Sequence, residues 1–310
     1  MQTRRIGQLE VSVVGLGCNN FGMRIDEAAT QRVVDAAIDA GVTYFDTADV
    51  YGGTRSEEFL GRALAGRRDQ VVVATKFGMT GSPGGEHSGG SPEWIRQAVD
   101  DSLGRLGTDR IDHYQLHKAD PDVPLAETLG ALHELVVEGK VRELGCSNFD
   151  ARLLDEAAAV AGERELTPFR TVQNRYSVLH REPETGVIDA CRRLGMGLVP
   201  YFPLESGLLT GKVGADGTAP DGSRLSLMPE DRRDTFVTAD RLEAVERLRA
   251  YAADHGRSLL ELAISWLVAN PVVVSVIAGA TRPEQATANA AGAGWELTED
   301  QRAEIAALAG

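Results

Sequence analysis

Short, almost continuously apolar runs alternate with longer stretches of helical periodicity along nearly the whole chain. The short runs are rich in valine and isoleucine, which is typical of parallel strands buried on both faces. The longer stretches repeat apolar residues three or four positions apart, as amphipathic helices do. Eight such pairs follow one another, and their predicted strands are Val13–Leu16, Thr43–Asp46, Val71–Lys76, Ile111–Leu116, Val141–Cys146, Thr171–Asn174, Gly197–Tyr201 and Val272–Ile277. The helices predicted after them are Asp26–Ala40, Ser56–Ala65, Pro92–Leu106, Leu125–Glu138, Ala151–Ala161, Glu184–Leu194, a helical pair over Ala239–Asn270, and Pro283–Ala291.

Eight strand–helix units match a closed (β/α)8 barrel better than an open doubly wound sheet. We therefore predict an α/β protein with the fold of a TIM barrel. No low-complexity linker divides the units, which predicts a single domain over residues 1–310. The segment 4–12 (RRIGQLEVS) precedes the first unit, and we predict that it forms a β-hairpin that plugs the bottom of the barrel.

Two long segments interrupt the alternation, one after the third predicted strand and one after the seventh. Residues Gly78–Gly90 are dominated by glycine, and residues Glu205–Thr238 are rich in glycine, proline and charge. Long loops at the carboxyl ends of barrel strands are where binding specificity normally resides. We expect both segments to border the mouth of the barrel.

The composition is that of a globular protein, and the charge restricts its partners. Hydrophobic residues make up 43% of the 310 residues, and 46 acidic against 32 basic residues give a formal net charge of −14. Such a surface repels phosphate backbones, so we expect neither a nucleic-acid partner nor binding to an anionic membrane. The three cysteines lack any CxxC spacing, and no apolar run has the length of a leader or a membrane span. We expect a cytoplasmic protein in a reducing compartment.

Three short motifs resemble cofactor or metal sites, but each lacks a required residue. Gly15 and Gly17 match the first two glycines of a dinucleotide-binding fingerprint, yet Asn20 stands where the third glycine is needed. The segment 207–213 (GLLTGKV) is one residue too short for a phosphate-binding loop and has no hydroxyl residue for Mg²⁺. His113 and His117 share a strand face without further ligands nearby in the sequence, so we predict no metal site.

Four polar residues stand at or just beyond the carboxyl ends of consecutive predicted strands. Asp46 ends the second strand, and Tyr51 follows on the same loop. Lys76 ends the third strand, and His117 directly follows the fourth. In a barrel these positions converge on one mouth. A carboxylate, a phenol, an ammonium group and an imidazole indicate a proton relay, and a single carboxylate is too few for the paired-carboxylate design of glycosidases.

Seven segments of the sequence resemble the aldo-keto reductase superfamily, in that family's order. They are FDTADVYGGTRSEEFLGRAL, VVVATKFG, HYQLHKAD, GCSNF, VQNRYSVL, PLESGLLTGK and VSVIAGATRPEQATAN. The resemblance covers essentially the whole chain and is closest in layout to the bacterial reductases and the potassium-channel β subunits, which carry a long loop after the seventh strand. It implies NADP(H) as hydride donor and a catalytic tetrad of Asp46, Tyr51, Lys76 and His117.

The chemistry of carbonyl reduction explains these residue types. Hydride is added to carbon and a proton to the developing alkoxide, so a positioned acid lowers the barrier. We hypothesise that Tyr51 is this acid, although an ordinary tyrosine pKa of about 10 is too high for easy proton delivery at neutral pH. We expect the Lys76 ammonium group to lower that pKa and Asp46 to hold the lysine charged and in place. His117 is expected to orient the carbonyl oxygen.

The same resemblance implies a nicotinamide and pyrophosphate site on the later strands. The residues implied to bind the nicotinamide carboxamide are Ser147, Asn148 and Gln173. Tyr201 matches the aromatic residue that stacks on the nicotinamide ring. The residues implied to form the pyrophosphate cradle are Phe202, Pro203, Leu204 and Gly207, with Phe202 in place of the usual serine.

The implied adenosine end of the cofactor site lies on the long loop and the last unit. Lys212 and Arg224 match two cations near the 2′-phosphate. The last strand and the start of its helix contribute Gly279, Thr281, Gln285 and Asn289. Many relatives have basic residues at two of these positions, Gly279 and Gln285, and Arg282 is a local substitute. We expect NADPH to be preferred over NADH, and a positive patch at the mouth formed by Lys76, Lys212, Arg224 and Arg282.

The expected walls of the substrate pocket follow the first three predicted strands. They are Cys18, Asn19, Asn20, Val50 and Phe77, completed by the two long segments and by Trp295. Asn19 and Asn20 stand where large aromatic residues are frequent in relatives, which favours a more polar pocket that admits sugars or polyols beside aromatic and aliphatic aldehydes. The alternative is that these two asparagines only order the loop.

Other functions remain open at this point. A cofactor-binding regulatory subunit, as in the channel β branch, typically carries Asn at the position of His117, so the intact tetrad favours an enzyme. An NAD-dependent sugar or polyol dehydrogenase fits the same barrel. A barrel hydrolase or isomerase would show no change in NADPH fluorescence on titration.

Overall fold

A computed structural model describes residues 1–79 and 89–310, so most of the segment Gly78–Gly90 lies outside the described residues. The first two strands are β1 (Thr3–Ile6) and β2 (Leu9–Ser12). The remaining strands are β3 (Val14–Gly17), β4 (Tyr44–Asp46), β5 (Val72–Phe77), β6 (Ile111–Leu116), β7 (Val141–Ser147), β8 (Phe169–Gln173), β9 (Gly197–Leu198) and β10 (Val276–Gly279). The helices are α1 (Glu27–Asp39), α2 (Arg55–Ala63), α3 (Pro92–Leu106), α4 (Leu125–Val137), α5 (Ala151–Glu163), α6 (Val187–Leu194), α7 (Glu230–Asp234), α8 (Ala239–Asp254), α9 (Leu259–Val268), α10 (Pro283–Ala291) and α11 (Glu299–Ala309).

Strands β3 to β10 form one parallel sheet in the order β10-β3-β4-β5-β6-β7-β8-β9. The two ends of this sheet meet where Leu198 of β9 pairs with Val273, just before β10. Backbone hydrogen bonds complete the junction, from Leu198 N to Val272 O at 2.8 Å and from Val274 N to Leu198 O at 2.9 Å. The prediction of a (β/α)8 barrel with an N-terminal hairpin is confirmed.

Local signals in the sequence account for several helix boundaries. The Asp26 side chain caps α1 by accepting from Ala29 N at 2.8 Å. Ser91 caps α3 ahead of a proline in the first turn, and Gly107 ends that helix at φ 61°, a left-handed conformation that glycine adopts without strain. Ser258 and Glu261 form a reciprocal capping box at the start of α9.

The hairpin β1–β2 lies at the amino-terminal ends of the barrel strands. Its apolar side chains Ile6, Leu9 and Val11 are buried against residues of the barrel interior, including Val72 and Val274. The Arg4 guanidinium group donates to Val268 O at 2.6 Å and to Asn270 O at 2.9 Å, at the carboxyl end of α9. The hairpin therefore covers the bottom of the barrel and leaves the opposite end to the site.

The structure differs from the sequence prediction at the elements with the most irregular local sequence. Strand β9 has two residues instead of five, and β10 begins at Val276 instead of Val272, because the chain before it is used to close the barrel. Helix α6 begins at Val187 because Gly186, at φ 150°, separates it from a 3-10 turn over Glu182–Thr185. Helices α7 and α11 were not predicted, although Thr298 and Gln301 form a capping box that marks the start of α11. No helix among the described residues has the length and apolar character needed to cross a membrane.

Candidate active site

A buried ion pair lies at the carboxyl ends of β4 and β5. Lys76 is 0% exposed, and its Nζ donates to Asp46 Oδ2 at 2.6 Å and to Thr47 O at 2.7 Å. Burial lowers the pKa of Lys76, but the attraction of Asp46 and Tyr51 outweighs burial, so the pKa lies above its ordinary value. The lysine is therefore held charged at neutral pH.

Two glutamine side chains hold the other oxygen of the Asp46 carboxylate. Gln173 Nε2 donates to Asp46 Oδ1 at 2.9 Å, and Gln115 Nε2 donates to the same atom at 3.1 Å. Gln115 stands opposite Lys76 in the register of β5 and β6. Sequence reasoning did not select Gln115, although a polar residue inside an otherwise apolar strand is a usable signal of a buried polar partner. Both carboxylate oxygens thus have partners within the barrel.

Tyr51 lies above this ion pair, beside His117. Lys76 Nζ is 5.0 Å from the centroid of the Tyr51 ring. The rings of Tyr51 and His117 meet edge to face, with centroids 5.9 Å apart and an interplanar angle of 81°. The structure therefore brings the four residues at the strand ends together in one mouth.

The pKa of Tyr51 is raised above its ordinary value, which is the opposite of the net direction expected from the sequence. Burial of the phenol raises this pKa, Lys76 lowers it, and Asp46 raises it again. Lys76 lowers the pKa of Tyr51, as expected, but Asp46, which holds the lysine, raises that pKa and so opposes the lysine. Tyr51 accordingly keeps its proton at neutral pH.

His117 is buried and uncharged at neutral pH. Burial lowers its pKa to about 3, and the charge of Lys76 acts in the same direction. Its Nδ1 is buried without a hydrogen-bond partner among the described residues. Its backbone is fixed by a bond from His117 N to Phe77 O at 2.8 Å and by one from Asn148 Nδ2 to His117 O at 3.0 Å. A neutral imidazole in this position can donate one hydrogen bond to an uncharged carbonyl oxygen.

We expect the folded protein to lose stability as the pH falls from 6.5 towards about 3, in part because of His113 and His117. Burial lowers both pKa values to about 3, so over this range the unfolded chain binds protons that the folded chain does not. Urea denaturation at a series of pH values measures how steeply the free energy of unfolding falls with pH. His117→Asn is expected to flatten this pH dependence, and an unaltered slope in the variant contradicts the assignment.

The residues expected around the nicotinamide are linked to one another and to His117. Ser147 Oγ donates to Gln173 O at 2.7 Å. The Asn148 amide donates to His117 O and to Ser147 Oγ, and its Oδ1 accepts from Tyr201 OH at 2.9 Å. Asn148 adopts φ 60°, a strained value for a residue other than glycine, and such values concentrate at functional sites. These four side chains line the half of the mouth formed by β7, β8 and β9.

The loop after β9 has an unusual run of left-handed backbone. Phe202, Glu205 and Ser206 have φ values of 54°, 45° and 58°, and Gly207 follows at 112°. The Ser206 hydroxyl is buried without a hydrogen-bond partner among the described residues. Sequence reasoning selected Phe202, Pro203, Leu204 and Gly207 here and missed both Glu205 and Ser206.

A buried carboxylate holds this strained loop. Glu205 is 0% exposed and forms ion pairs with Arg175, after β8, and with Arg241, at the start of α8, the latter at 2.5 Å. Ser177 Oγ also donates to Glu205 Oε1 at 2.8 Å. Both guanidinium groups lie over the Phe236 ring, at 5.1 and 5.8 Å from its centroid. Burial raises the pKa of Glu205, but the two arginines outweigh burial and the pKa lies below its ordinary value.

The remaining residues expected at the cofactor lie on the last unit and on the long segment. Gln285 Oε1 accepts from Thr281 N at 2.8 Å, and Asn289 Nδ2 donates to Gly279 O at 3.4 Å. Arg224 Nη2 donates to Asn19 Oδ1 and to Asn20 Oδ1, both at 3.2 Å, and its guanidinium group lies 5.5 Å from the Phe202 ring centroid.

The expected positive patch has a different composition in the structure. Lys76 is not part of it, because this lysine is fully buried and paired with Asp46 inside the barrel. Lys212 and Arg282 are exposed side chains. The cations that act on the pKa of Arg224 are Arg24 and Arg232, neither of which was selected from the sequence.

Three of the expected pocket residues are buried. Cys18 and Phe77 are fully buried in the hydrophobic core, and Phe77 stacks on Tyr114 at 4.7 Å between ring centroids. Trp295 stacks instead with Tyr251 and His255 at the carboxyl end of α8. Phe77 follows Lys76 on β5, so strand alternation turns its side chain to the opposite face. The charges of Asp46 and Lys76 act on the pKa of Cys18, so this buried thiol lies near the candidate site.

The other expected pocket residues lie at the mouth or outside the described part of the chain. Asn19 and Val50 are partly exposed, and Asn20 is nearly buried. Asn20 O accepts from the backbone N of Met23 and Arg24, which orders the loop after β3. Residues 80–88 of the expected Gly78–Gly90 wall are not described. Among the described residues, no group of three His, Cys, Asp or Glu side chains is placed to hold a metal ion.

Comparison with known proteins gives one consistent family. A family model described as the aldo/keto reductase family matches residues 13–309. The chain is 34% identical over 302 residues to the aldo-keto reductase YhdN of Bacillus subtilis (strain 168), covering 95% of this chain and 89% of that protein. It is 35% identical over 290 residues to the aldo-keto reductase yakc [NADP(+)] of Schizosaccharomyces pombe, covering 90% of this chain and 83% of that protein. It is 34% identical over 324 residues to the aldo-keto reductase str7 of Strobilurus tenacellus, covering 100% of this chain and 92% of that protein.

Proposed function

The chain belongs to the aldo/keto reductase family, and on that premise we propose that it reduces aldehyde or ketone carbonyls with NADPH, using Tyr51 as the general acid. Membership of the family implies oxidoreduction of carbonyl compounds with a nicotinamide cofactor. The choice of NADPH and the role of Tyr51 are our own, finer proposal. The net charge of −14 supports a small-molecule substrate over a nucleic-acid partner.

The observation that carries the proposal is the buried Lys76–Asp46 pair beside the phenol of Tyr51. A tyrosine that keeps its proton at neutral pH is available to donate it to the developing alkoxide. Lys76, held charged by Asp46, then stabilises the phenolate that remains. The neutral His117 donates a hydrogen bond to the carbonyl oxygen and so orients it for protonation.

The described residues fit a nicotinamide dinucleotide along one side of the mouth. When bound, this group supplies the hydride for the carbonyl carbon. Ser147, Asn148, Gln173 and Tyr201 are proposed to hold the nicotinamide end. The Ser206 hydroxyl, unpartnered among the described residues and held on a loop with left-handed φ values at Phe202 and over 205–207, is proposed as a donor to the pyrophosphate. Lys212, Arg224 and the segment from Gly279 to Asn289 are proposed for the adenosine phosphate end.

We expect kcat/KM to be at least about tenfold higher with NADPH than with NADH, because a charge-assisted hydrogen bond to the extra phosphate is worth about 1.5–3 kcal/mol. Lys212→Gln is expected to remove most of that preference. Lys140→Gln, directly before β7 and therefore at the other end of the barrel, is the matched control. A wild-type preference for NADH overturns the proposed cofactor.

The proposed activity is tested by following NADPH absorbance with a panel of aromatic aldehydes, aliphatic aldehydes and sugars. Turnover of at least one class is expected, with the rate dependent on protein concentration. NADPH binding without turnover of any carbonyl supports instead a cofactor-binding regulatory protein. Absence of both binding and turnover overturns the proposed function.

A further inference from the structure

Gln115 is a fully buried polar residue in the interior of the barrel, beneath the mouth. It is 0% exposed and stands on β6, in register with Lys76 of β5. Alternate side chains of a strand share one face, so Gln115 lies one level above His113 and one level below His117. A buried amide is costly unless its polar atoms have partners, and the partners of Gln115 therefore show what it does.

A closed ring of hydrogen bonds joins Gln115, Asp46 and Gln173. Gln115 Nε2 donates to Asp46 Oδ1 at 3.1 Å, and Gln173 Nε2 donates to the same oxygen at 2.9 Å. Gln173 Nε2 also donates to Gln115 Oε1 at 3.1 Å. An ionised carboxylate can only accept hydrogen bonds, so both amides must turn their nitrogen towards Asp46. The ring therefore fixes the orientation of both glutamine side chains.

The ring determines which atom Gln173 offers to the cofactor side of the mouth. Its two N–H bonds are directed at Asp46 Oδ1 and at Gln115 Oε1. Its own oxygen is left to accept a hydrogen bond from the amide group of the nicotinamide carboxamide. A glutamine without the Gln115 contact could rotate its amide and offer a donor instead. Gln115 thus acts on the cofactor side through Gln173.

The same ring holds the proton-donor side of the mouth. Asp46 Oδ1 accepts from two amides, which keeps Oδ2 turned towards Lys76 Nζ at 2.6 Å. The lysine in turn lies 5.0 Å from the centroid of the Tyr51 ring. A rotated carboxylate would move the ammonium group that lies beside the phenol. Gln115 therefore acts on Tyr51 through Asp46 and Lys76.

A second buried network lies one level lower and provides a comparison. His113 bonds to Tyr44 OH through Nδ1 at 2.9 Å and to Thr171 Oγ1 through Nε2 at 3.0 Å. Gly145 leaves room for this contact, since a Cβ atom there would lie 2.5 Å from His113 Nε2. In the described part of the chain, the side-chain hydrogen bonds of this lower network do not reach Asp46, Lys76 or the two glutamines.

We propose that Gln115 is a positioning residue, which holds the Asp46 carboxylate towards Lys76 and the Gln173 amide towards the nicotinamide. This role rests on the proposed carbonyl reduction and adds to it a residue that couples the proton-donor side of the mouth to the cofactor side.

The first test removes the amide and keeps the volume, with Gln115→Leu. Reduction of an aromatic aldehyde by NADPH is expected to lose about tenfold in kcat, the effect of one hydrogen bond to a charged group. The NADPH dissociation constant is expected to rise about threefold, since the Gln173 amide is no longer fixed. Thr171→Val is the matched control, because it removes one buried hydrogen bond from the lower network. Its kcat is expected within about twofold of the wild type, the allowance for one neutral bond outside the ring.

Gln115→Glu is expected to create a new pH dependence. A protonated carboxyl group can donate to Asp46 and accept from Gln173 as the amide does, whereas an ionised one repels Asp46. The charge of Lys76, which favours ionisation, is already paired with Asp46. The other titratable side chains affected by these two charges are uncharged at neutral pH, namely Cys18, Tyr44, Tyr51, His113 and His117.

The expected result is a kcat near that of the wild type at about pH 5 and a relative loss of about tenfold by about pH 8, as the introduced carboxyl group ionises. Thr171→Val is expected to keep the pH profile of the wild type. A residue with a merely structural role would not produce this difference between the two variants.

Unfolding of the protein without cofactor or substrate gives an independent readout. Relative to the wild type, the urea midpoint of Gln115→Glu is expected to fall as the pH rises above about 4.3, the pKa of glutamate in an unfolded chain. The reason is that the folded chain keeps on the introduced carboxyl group a proton that the unfolded chain has lost. Adding Asp46→Asn removes the neighbouring carboxylate and is expected to weaken this pH dependence.

Two results overturn this inference and leave carbonyl reduction standing. One is a wild-type kcat and NADPH dissociation constant in Gln115→Leu. The other is an equal loss in Gln115→Leu and Thr171→Val, with no new pH dependence in Gln115→Glu. If Gln115→Leu does not fold, the pH profile of Gln115→Glu decides.

If no aldehyde turns over, the proposed function fails, and the unfolding measurements decide the inference. A pH dependence of Gln115→Glu that Asp46→Asn weakens supports the positioning of Asp46 by Gln115. The same pH dependence with and without Asp46→Asn overturns it.

Discussion

Tyr51→Phe is expected to lower kcat for carbonyl reduction about a thousandfold, within the range of 10²–10⁴ contributed by a positioned general acid. The substitution removes only the phenolic hydroxyl and keeps the ring that meets His117 edge to face at 5.9 Å. Lys76 keeps its bonds to Asp46 and Thr47, so the ion pair beneath the ring is preserved. The loss is therefore expected in kcat, with little change in the dissociation constant for NADPH.

The matched control for this substitution is Tyr251→Phe. The Tyr251 hydroxyl donates to Glu304 at 2.9 Å on the outer face of the protein, away from the barrel mouth. Wild-type kinetics are expected from it. If Tyr51→Phe keeps more than about a tenth of the wild-type kcat, Tyr51 is not the general acid and the proposed mechanism is wrong.

Glu205→Gln is expected to lower the free energy of unfolding by about 3 kcal/mol, at the lower end of the range for breaking a buried ion pair, because both arginines are partly exposed. The neutral amide leaves Arg175 and Arg241 together over the Phe236 ring without the charge that holds them there. The shift in the urea midpoint measures the loss. Glu58→Gln is the control, because the Glu58–Arg62 pair is 3.9 Å apart and exposed, and we expect a change of no more than about 0.5 kcal/mol.

The pH dependence of the stability of Glu205→Gln is a second test of the ion-paired cluster. The folded pKa of Glu205 lies below its ordinary value of 4.5, so its stabilising effect is complete above that value and is lost as the pH falls through the folded pKa. Glu205→Gln is expected to be less sensitive to acid in this range than the wild type. An unchanged urea midpoint at neutral pH would show that the ion-paired cluster does not stabilise the loop.

The barrel was predictable because its signals are local. Valine-rich runs and helical spacing are set within a few residues, and β6, α3 and α10 begin and end where the sequence placed them. The short β9 and the late start of β10 were not predictable, since closure of the barrel decides which residues of these segments pair. Helix α7 has five residues, too few for a periodic signal.

Some residues of the candidate site were likewise predictable from the sequence, and others were not. Asp46, Lys76 and His117 were selected because the carboxyl ends of barrel strands converge, whatever the packing around them. Gln115 and Glu205 were missed because their roles depend on partners far away in the sequence: Asp46 is 69 residues from Gln115, and Arg241 is 36 residues from Glu205. The burial of Phe77 in the core was not predicted, because one step along β5 from Lys76 turns a side chain to the opposite face of the strand.

The sequence by itself determined the order of strands and helices, the barrel, and the four polar residues that meet at its mouth. The tertiary structure alone decided that burial outweighs Lys76 in setting the pKa of Tyr51, and that Glu205 is buried between Arg175 and Arg241. The physical reason is that periodicity is a property of neighbouring residues. Desolvation and charge interactions depend on which distant segments pack together, and the composition of the chain does not contain that information.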